Sequence, residues 1–133
     1  MYMTEWLISA NPAYYQHETA FRENGYIDWN QTRNFQIGDI VYIYCSNPLS
    51  RIKYKTIVEK INLQSPEKNY WIKEMAYDSH RYMRLSLVCE MDSDDLSLKC
   101  LHNHGLKYAP QSPCHVKEPL ASYLHLRFGV ESK

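Results

Sequence analysis

The sequence predicts an α+β domain in which five or six strands form an antiparallel, barrel-like sheet flanked by two or three helices. Most predicted strands follow one another through short turns, which favours an antiparallel sheet over a doubly wound parallel one. The predicted helices stand early and late in the chain. The 133 residues, of which 44% are hydrophobic, suffice for one domain with its own core. We therefore expect a single domain over residues 1–133.

The first third of the chain predicts a strand, a helix and a second strand. Residues 3–9 are typical of a strand. Asn11 and Pro12 indicate a helix start, because asparagine is a favoured N-cap and proline costs no hydrogen bond at the first helical position. This helix should end before Gly25, since glycine readily takes the left-handed conformation that follows many helices. Residues 27–29 predict a short strand.

The middle of the chain predicts the remaining strands. Residues 40–45 form an uninterrupted apolar run, as expected of a strand buried on both faces. Residues 52–61 alternate between apolar and polar side chains over their first half. Residues 70–77 and 82–91 predict two further strands.

Two helices are predicted in the last third. Residues 96–104 follow an acidic cluster, and negative charge there would stabilise the N-terminus of a helix through its dipole. The cluster consists of Asp92, Asp94 and Asp95. In residues 119–128 apolar side chains recur at helical spacing, namely Leu120, Tyr123, Leu124 and Phe128.

The charge balance restricts the possible functions. The formal net charge is zero, whereas a protein that coats duplex DNA through its backbone usually carries a basic excess. No apolar stretch approaches the roughly 20 residues that a membrane span needs, and residues 1–5 do not begin a signal peptide. We expect a cytoplasmic protein without a membrane partner.

The cysteines do not predict a metal site. None of the four has the two-residue spacing of zinc knuckles and redox motifs; they are Cys45, Cys89, Cys100 and Cys114. His102 and His115 lie near the last two, but the combined spacings match no strong zinc pattern. We expect reduced structural thiols, no metal and no cofactor.

Three short signatures stand in order in the first third. A Trp6-Leu7 strand ends in Asn11-Pro12, Trp29 follows the first helix, and Gly38-Asp39 opens a strand that ends in Tyr44-Cys45-Ser46. Together with the late loop 106–113, this order resembles the EVE domain family. That family belongs to the PUA-like barrels, which also include YTH and ASCH domains. The resemblance implies a PUA-like mixed or antiparallel β-barrel with two or three flanking helices.

The resemblance further implies a pocket for a modified nucleobase. Aromatic side chains would stack on the base and polar groups would bind its edge. Trp29 is the candidate stacking wall, with Trp71 or Tyr44 on the opposite side of the base. The candidate polar contacts come from the ends of two strands and from the late loop, namely Ser9, Asn11, Ser46, Gln111 and Ser112.

Each of these residues also has an ordinary structural interpretation. The tryptophans and Tyr44 are also compatible with a core, Asn11 with a helix cap, and the late polar residues with a solvated turn. The densest basic stretch contains Arg51, Lys53 and Lys55. It could contact a phosphate backbone or form a solvated face.

The sequence therefore favours a non-enzymatic module that recognises a modified base in DNA or RNA. The resemblance also implies a role in a defence or restriction system, with a nuclease subunit or a fused effector domain as partner. The first alternative is a small ASCH-type hydrolase acting on an amide or ester of a nucleoside-like compound, which would need lysine and glutamate in the pocket. The second is a protein-interaction module without a nucleic-acid role. No nucleophile elbow, Walker loop or zinc-protease motif appears.

Overall fold

The computed structural model describes residues 3–72 and 79–129, which contain one six-stranded sheet and three α-helices. The strands are β1 (Glu5–Ala10), β2 (Tyr26–Asn30), β3 (Ile40–Cys45), β4 (Arg51–Leu63), β5 (Tyr82–Glu90) and β6 (Cys114–His115). The helices are α1 (His17–Asn24), α2 (Leu98–His102) and α3 (Leu120–Phe128), and a 3-10 helix spans Asp94–Leu96.

The sheet is mixed, with the strand order β2-β5-β4-β3-β1-β6. β1 runs parallel to β3, with Glu5 opposite Ile40, and the other neighbouring pairs are antiparallel. Ile27 of β2 and Ile8 of β1 share one buried cluster although their strands lie near opposite edges. The sheet therefore curls around that cluster, and the predicted α+β, barrel-like class is confirmed.

β3 separates two hydrophobic clusters, and all six of its residues are buried. Val41 and Ile43 point into the inner cluster, inside the curled sheet. Tyr42 points into the outer cluster, where α2 and α3 cover the sheet with Leu101, Leu124 and other side chains. Because successive side chains of a strand point to opposite faces, burial on both faces explains the predicted apolar run.

The final helix is confirmed, with Leu120, Leu124 and Phe128 buried along one side of α3. The Gly25 prediction is also confirmed. Its φ is 80° and its N–H donates to the Phe21 carbonyl at the end of α1. In the described ranges of the chain, no helix combines the length and the hydrophobicity that a membrane crossing would need.

The helix start predicted at Asn11 is wrong. The Asn11 side chain accepts a hydrogen bond from the Ala13 N–H at 2.9 Å and closes a local turn. Tyr15 then forms an isolated antiparallel bridge with Trp71, and α1 begins only at His17. Pairing with a distant segment thus holds residues 14–16 out of the helix that their local sequence favours.

The acidic cluster is partly as predicted, because Asp94 and Asp95 lie in the first turn of the 3-10 helix, whereas the first turn of α2 holds no acidic residue. Ser93 and Ser97 supply the side-chain caps of the 3-10 helix and of α2. The Asp92 and Asp94 carboxylates instead pair with Arg51 at 3.2 and 3.0 Å. Asp92 and Asp94 therefore attach this segment to β4 through ion pairs.

Two further differences concern short strands. Of the strand predicted over residues 70–77, residues 73–77 lie outside the described part of the chain. Directly after the late loop lies β6, which pairs with β1 at Trp6 and Leu7 and was not predicted. Two residues are too few to show an alternating pattern.

A buried ion pair fixes β2 to β5. The Asp28 side chain is fully buried, and its two oxygens accept hydrogen bonds from Arg84 Nε at 2.8 Å and Nη2 at 2.9 Å. The Glu67 N–H donates to the same carboxylate at 2.8 Å. This bidentate contact holds β2 beside β5 immediately before Trp29.

We predict that Arg84→Gln destabilises the protein by about 3 kcal/mol, because it leaves the Asp28 carboxylate buried without its cation. Urea unfolding followed by circular dichroism measures this loss. The matched control is Arg127→Gln, whose pairing with Asp95 is largely exposed and should contribute under about 1 kcal/mol. Equal effects of the two substitutions would contradict the role assigned to the buried pair.

Candidate functional site

An open cavity of about 700 Å³ lies at the edge of the sheet where β1, β2 and β3 end. It combines three aromatic side chains with hydroxyl and amide groups. Its lining consists of Ser9, Ala10, Asn11, Tyr14, Trp29, Asn30, Ser46, Trp71, Ala109, Pro110 and Gln111. We call it the tryptophan cavity.

The strand pairing explains why distant residues meet there. Because β1 and β3 are parallel, their C-terminal ends lie at the same edge of the sheet. Ser9 therefore comes near Ser46, whose N–H donates to the Ala10 carbonyl at 2.9 Å. The curl of the sheet brings Trp29, at the end of β2, to the same cavity from the other side.

Trp29 and Trp71 form a joint aromatic wall. Their ring centroids lie 5.3 Å apart at an interplanar angle of 15°, so the two rings stack on each other. A base held between two parallel rings needs a separation of about 7 Å between those rings, twice the contact distance of carbon atoms. The two tryptophan rings are too close together for a base to lie between them. The prediction that Trp71 faces Trp29 across the base is therefore wrong.

The wall is held in place from behind. Tyr15 is 1% exposed and its ring packs edge-on against Trp29 at 5.1 Å and against Trp71 at 4.8 Å. The backbone around Trp71 is tied to the same segment, since the Gln16 N–H donates to the Tyr70 carbonyl at 2.8 Å and the Ile72 N–H donates to the Tyr14 carbonyl at 2.7 Å. The aromatic wall is thus preorganised.

The polar lining of the tryptophan cavity is uncharged. Serine hydroxyls and asparagine and glutamine amides surround the wall, and no charged side chain is among its described lining residues. The side-chain Oδ1 of Asn30 accepts hydrogen bonds from the N–H and the hydroxyl of Ser79, which orients the Asn30 amide group. Such a lining suits a neutral ligand with donors and acceptors on its edge.

A smaller cavity of about 160 Å³ adjoins the tryptophan cavity. Four lining residues are common to both: Ser9, Trp29, Asn30 and Gln111. Ser112 lines only the smaller one. We call this smaller space the side cavity.

The structure thus brings seven of the eight predicted ligand-binding residues to these two cavities. They are Ser9, Asn11, Trp29, Ser46, Trp71, Gln111 and Ser112. Tyr44 lies elsewhere, 2% exposed in the outer cluster, because its position on β3 turns it towards the helices. Sequence reasoning missed Tyr14 and Asn30, although Asn30 directly follows Trp29.

The three predicted backbone-contact residues do not form an open basic surface. Arg51 pairs with Asp92 and Asp94. The Lys53 ammonium lies 3.7 Å from Glu90 and 4.0 Å from Glu18, and Lys55 is 9% exposed on β4. This geometry favours internal pairing of Arg51 and Lys53 over contact with a phosphate backbone. Backbone contact by the three residues stays a prediction.

A buried histidine lies behind the aromatic wall. The His17 ring lies 5.0 Å from the Trp29 ring and 4.8 Å from the Tyr15 ring, centroid to centroid. Its Nε2 has no hydrogen-bond partner among the residues that the structure describes. Burial, with a smaller contribution from the Lys53 cation, lowers the pKa of His17 from 6.5 to about 4. The imidazole is therefore neutral at pH 7.

The cysteine and histidine pairs of the late segment are not assembled into a metal site. His102 Nδ1 lies 3.3 Å from the Lys107 carbonyl oxygen, and the His115 ring packs edge-on against Trp6. Within residues 3–72 and 79–129, no three histidine, cysteine or acidic side chains are grouped closely enough to hold a metal ion.

Comparison with solved structures identifies the fold. The ASCH protein of Zymomonas mobilis aligns with a TM-score of 0.62 and 13% identity, covering 95% of this chain and 96% of that one. Atu2648 of Agrobacterium tumefaciens gives 0.63 and 20% identity, covering 95% and 93%. The YTH domain of Zygosaccharomyces rouxii MRB1, solved in complex with N6-methyladenosine RNA, gives 0.57 and 11%, covering 99% and 88%.

These similarities define a PUA-like fold over nearly the whole chain. The identities of 11–20% show the fold alone, so membership of the EVE family stays a prediction. The sequence matches no protein-family model and no curated protein.

We predict that His17 makes the stability depend on pH. Its pKa is about 4 in the folded state and about 6.5 in the unfolded chain. The contribution of His17 to the free energy of unfolding is therefore fully present above pH 6.5 and is lost as the pH falls towards 4. His17→Phe removes the titrating group. Between pH 6.5 and pH 4, the free energy of unfolding of this variant should therefore fall less than that of the wild type. Denaturant titrations at several pH values measure the difference, and parallel pH profiles of the two proteins would contradict the assignment.

Proposed function

We propose that this protein is a non-enzymatic nucleic-acid-binding module that holds a modified base in the tryptophan cavity. The observation that carries the proposal is the preorganised Trp29–Trp71 wall beside an uncharged polar lining. The base would stack on the face of the Trp29–Trp71 wall that is open to the tryptophan cavity. Stacking of a base on an aromatic side chain contributes about 1–3 kcal/mol.

The polar groups of the cavity supply the means to distinguish bases. Ser9, Ser46 and Gln111 can donate and accept hydrogen bonds, which the edge of a base requires. A phosphate would find no cation among the described lining residues. This chemistry supports a bound base rather than a bound backbone as the centre of recognition.

Exposed apolar side chains border the cavity and support a surface that meets an extended ligand. Tyr14 is 39% exposed, Ile72, next to Trp71, is 55% exposed, and Tyr108, next to Ala109, is 78% exposed. Large exposed apolar groups gathered at one place commonly mark an interaction surface.

The YTH domain of similar fold supports a nucleic-acid ligand, because that protein was solved with N6-methyladenosine RNA. The EVE resemblance of the sequence supports the same class. We extend the proposal to a partner nuclease subunit or fused effector domain in a defence or restriction system, which rests on the sequence resemblance alone.

The hydrolase alternative has less support. It needs lysine and glutamate in the cavity, and neither occurs among the described lining residues. Lys53 and Glu18 instead line a separate cavity of about 230 Å³, where Lys53 pairs with Glu18 and Glu90, while Lys73 and Glu74 lie outside the described residues. The interaction-module alternative would suit a cavity filled by its own side chains, and the tryptophan cavity is open.

We predict that Trp29→Ala weakens binding of a modified oligonucleotide by about 10- to 100-fold, since the base loses its stacking partner. Fluorescence anisotropy of labelled oligonucleotides measures the dissociation constant without relying on tryptophan emission. The oligonucleotides carry 5-methylcytosine, 5-hydroxymethylcytosine, N6-methyladenine or no modification.

Trp29→Phe is the matched control, because it keeps an aromatic face and should retain most of the affinity. Circular dichroism establishes that both variants are folded. Equal binding by wild type and Trp29→Ala to every oligonucleotide would overturn the proposed site.

We also predict a weak salt dependence of binding. Each phosphate neutralised by a single-stranded ligand changes the slope of log K against log salt by about −0.7. Because Arg51 and Lys53 are internally paired, we expect a slope shallower than about −2. A much steeper slope in the wild type that becomes shallower in Arg51→Gln or Lys53→Gln would instead establish these residues as backbone contacts.

A further inference from the structure

The side cavity offers a second compartment directly beside the proposed base site. It shares Ser9, Trp29, Asn30 and Gln111 with the tryptophan cavity. A ligand that stacks on the tryptophan wall would therefore lie directly beside the side cavity. The side cavity is the natural place for any group attached to the base.

Its size exceeds what a small modification would fill. The volume is about 160 Å³, whereas a cavity needs only about 10–15 Å³ on this measure to hold one water molecule. A methyl group is similar in size to a water molecule and would leave most of the side cavity to solvent. The volume fits a substituent of several non-hydrogen atoms.

The lining indicates the chemistry of that substituent. Ile8 and Met83, which are 3% and 0% exposed, contribute apolar surface. Ser9, Thr32 and Ser112 contribute hydroxyl groups. No charged side chain is among the described lining residues, and a charged group without a partner is costly to take out of water.

We propose that the side cavity receives an uncharged, hydroxyl-bearing substituent of the bound base that is several times larger than a methyl group. This inference rests on the proposed function and specifies its ligand class. The apolar residues contact the carbon skeleton of the substituent, and the hydroxyl groups of the lining bind its hydroxyls. The protein thereby prefers a bulky, hydroxylated base over a methylated one.

The test compares two series of labelled single-stranded oligonucleotides by fluorescence anisotropy. In the cytosine series the central base is unmodified, 5-methylated, 5-hydroxymethylated or glucosylated on the hydroxymethyl group. In the adenine series it is unmodified, N6-methylated, N6-isopentenylated or N6-hydroxyisopentenylated. The isopentenyl probe separates the effect of bulk from that of the hydroxyl group.

Ser112→Phe fills the side cavity from an exposed loop position, so it leaves the folded core intact. The matched control is Ser65→Phe, another exposed serine that lines neither cavity. We expect the bulky hydroxylated probe of one series to bind at least about tenfold more tightly than its methylated counterpart, the scale of discrimination by one well-filled pocket. Ser112→Phe should abolish this preference, and Ser65→Phe should change neither the preference nor the affinity for the methylated probe.

The outcomes separate this inference from the proposed function. If methylated or unmodified probes bind through Trp29 and the bulky probes bind no more tightly, the inference is overturned and the base site stands. The same holds if the preference survives in Ser112→Phe. If no probe loses affinity in Trp29→Ala, the base site fails, and the side cavity has no assigned ligand.

Discussion

The parallel pairing of β1 with β3 is the constraint on which the candidate site depends. It places the C-terminal ends of both strands at one edge of the sheet, where the Ser46 N–H bonds to the Ala10 carbonyl. β3 can occupy this central position because every one of its residues is buried between two hydrophobic clusters. The curl of the remaining strands then completes the lining of the cavity by bringing Trp29 to the same edge.

Rigidity of the aromatic wall follows from contacts behind it. Tyr15 packs against both tryptophans, and the buried Asp28–Arg84 pair fixes β2 one residue before Trp29. A wall already in its binding geometry loses little conformational freedom when a ligand arrives, and this preserves affinity. The same enclosure buries His17 as a neutral imidazole.

Two cations of the basic stretch, Arg51 and Lys53, hold parts of the structure together. Arg51 attaches the acidic segment to β4, and Lys53 lies between Glu18 and Glu90. The two cavities therefore present hydroxyl, amide and aromatic groups. Recognition in the proposed function would depend on shape, stacking and hydrogen bonding, and the side cavity would add selectivity for a substituent.

The sequence by itself determined the elements with strong local signals. The buried run of β3, the left-handed glycine after α1 and the apolar stripe of α3 follow from periodicity and backbone preference, and seven predicted ligand-binding residues do line the cavities. Only the tertiary structure decided the start of α1, since the Tyr15–Trp71 bridge overrides local helix propensity. It also decided that Trp71 stacks on Trp29, that Tyr44 faces the helices and that Arg51 and Lys53 pair internally. These outcomes depend on contacts between residues far apart in the chain, which local patterns do not encode.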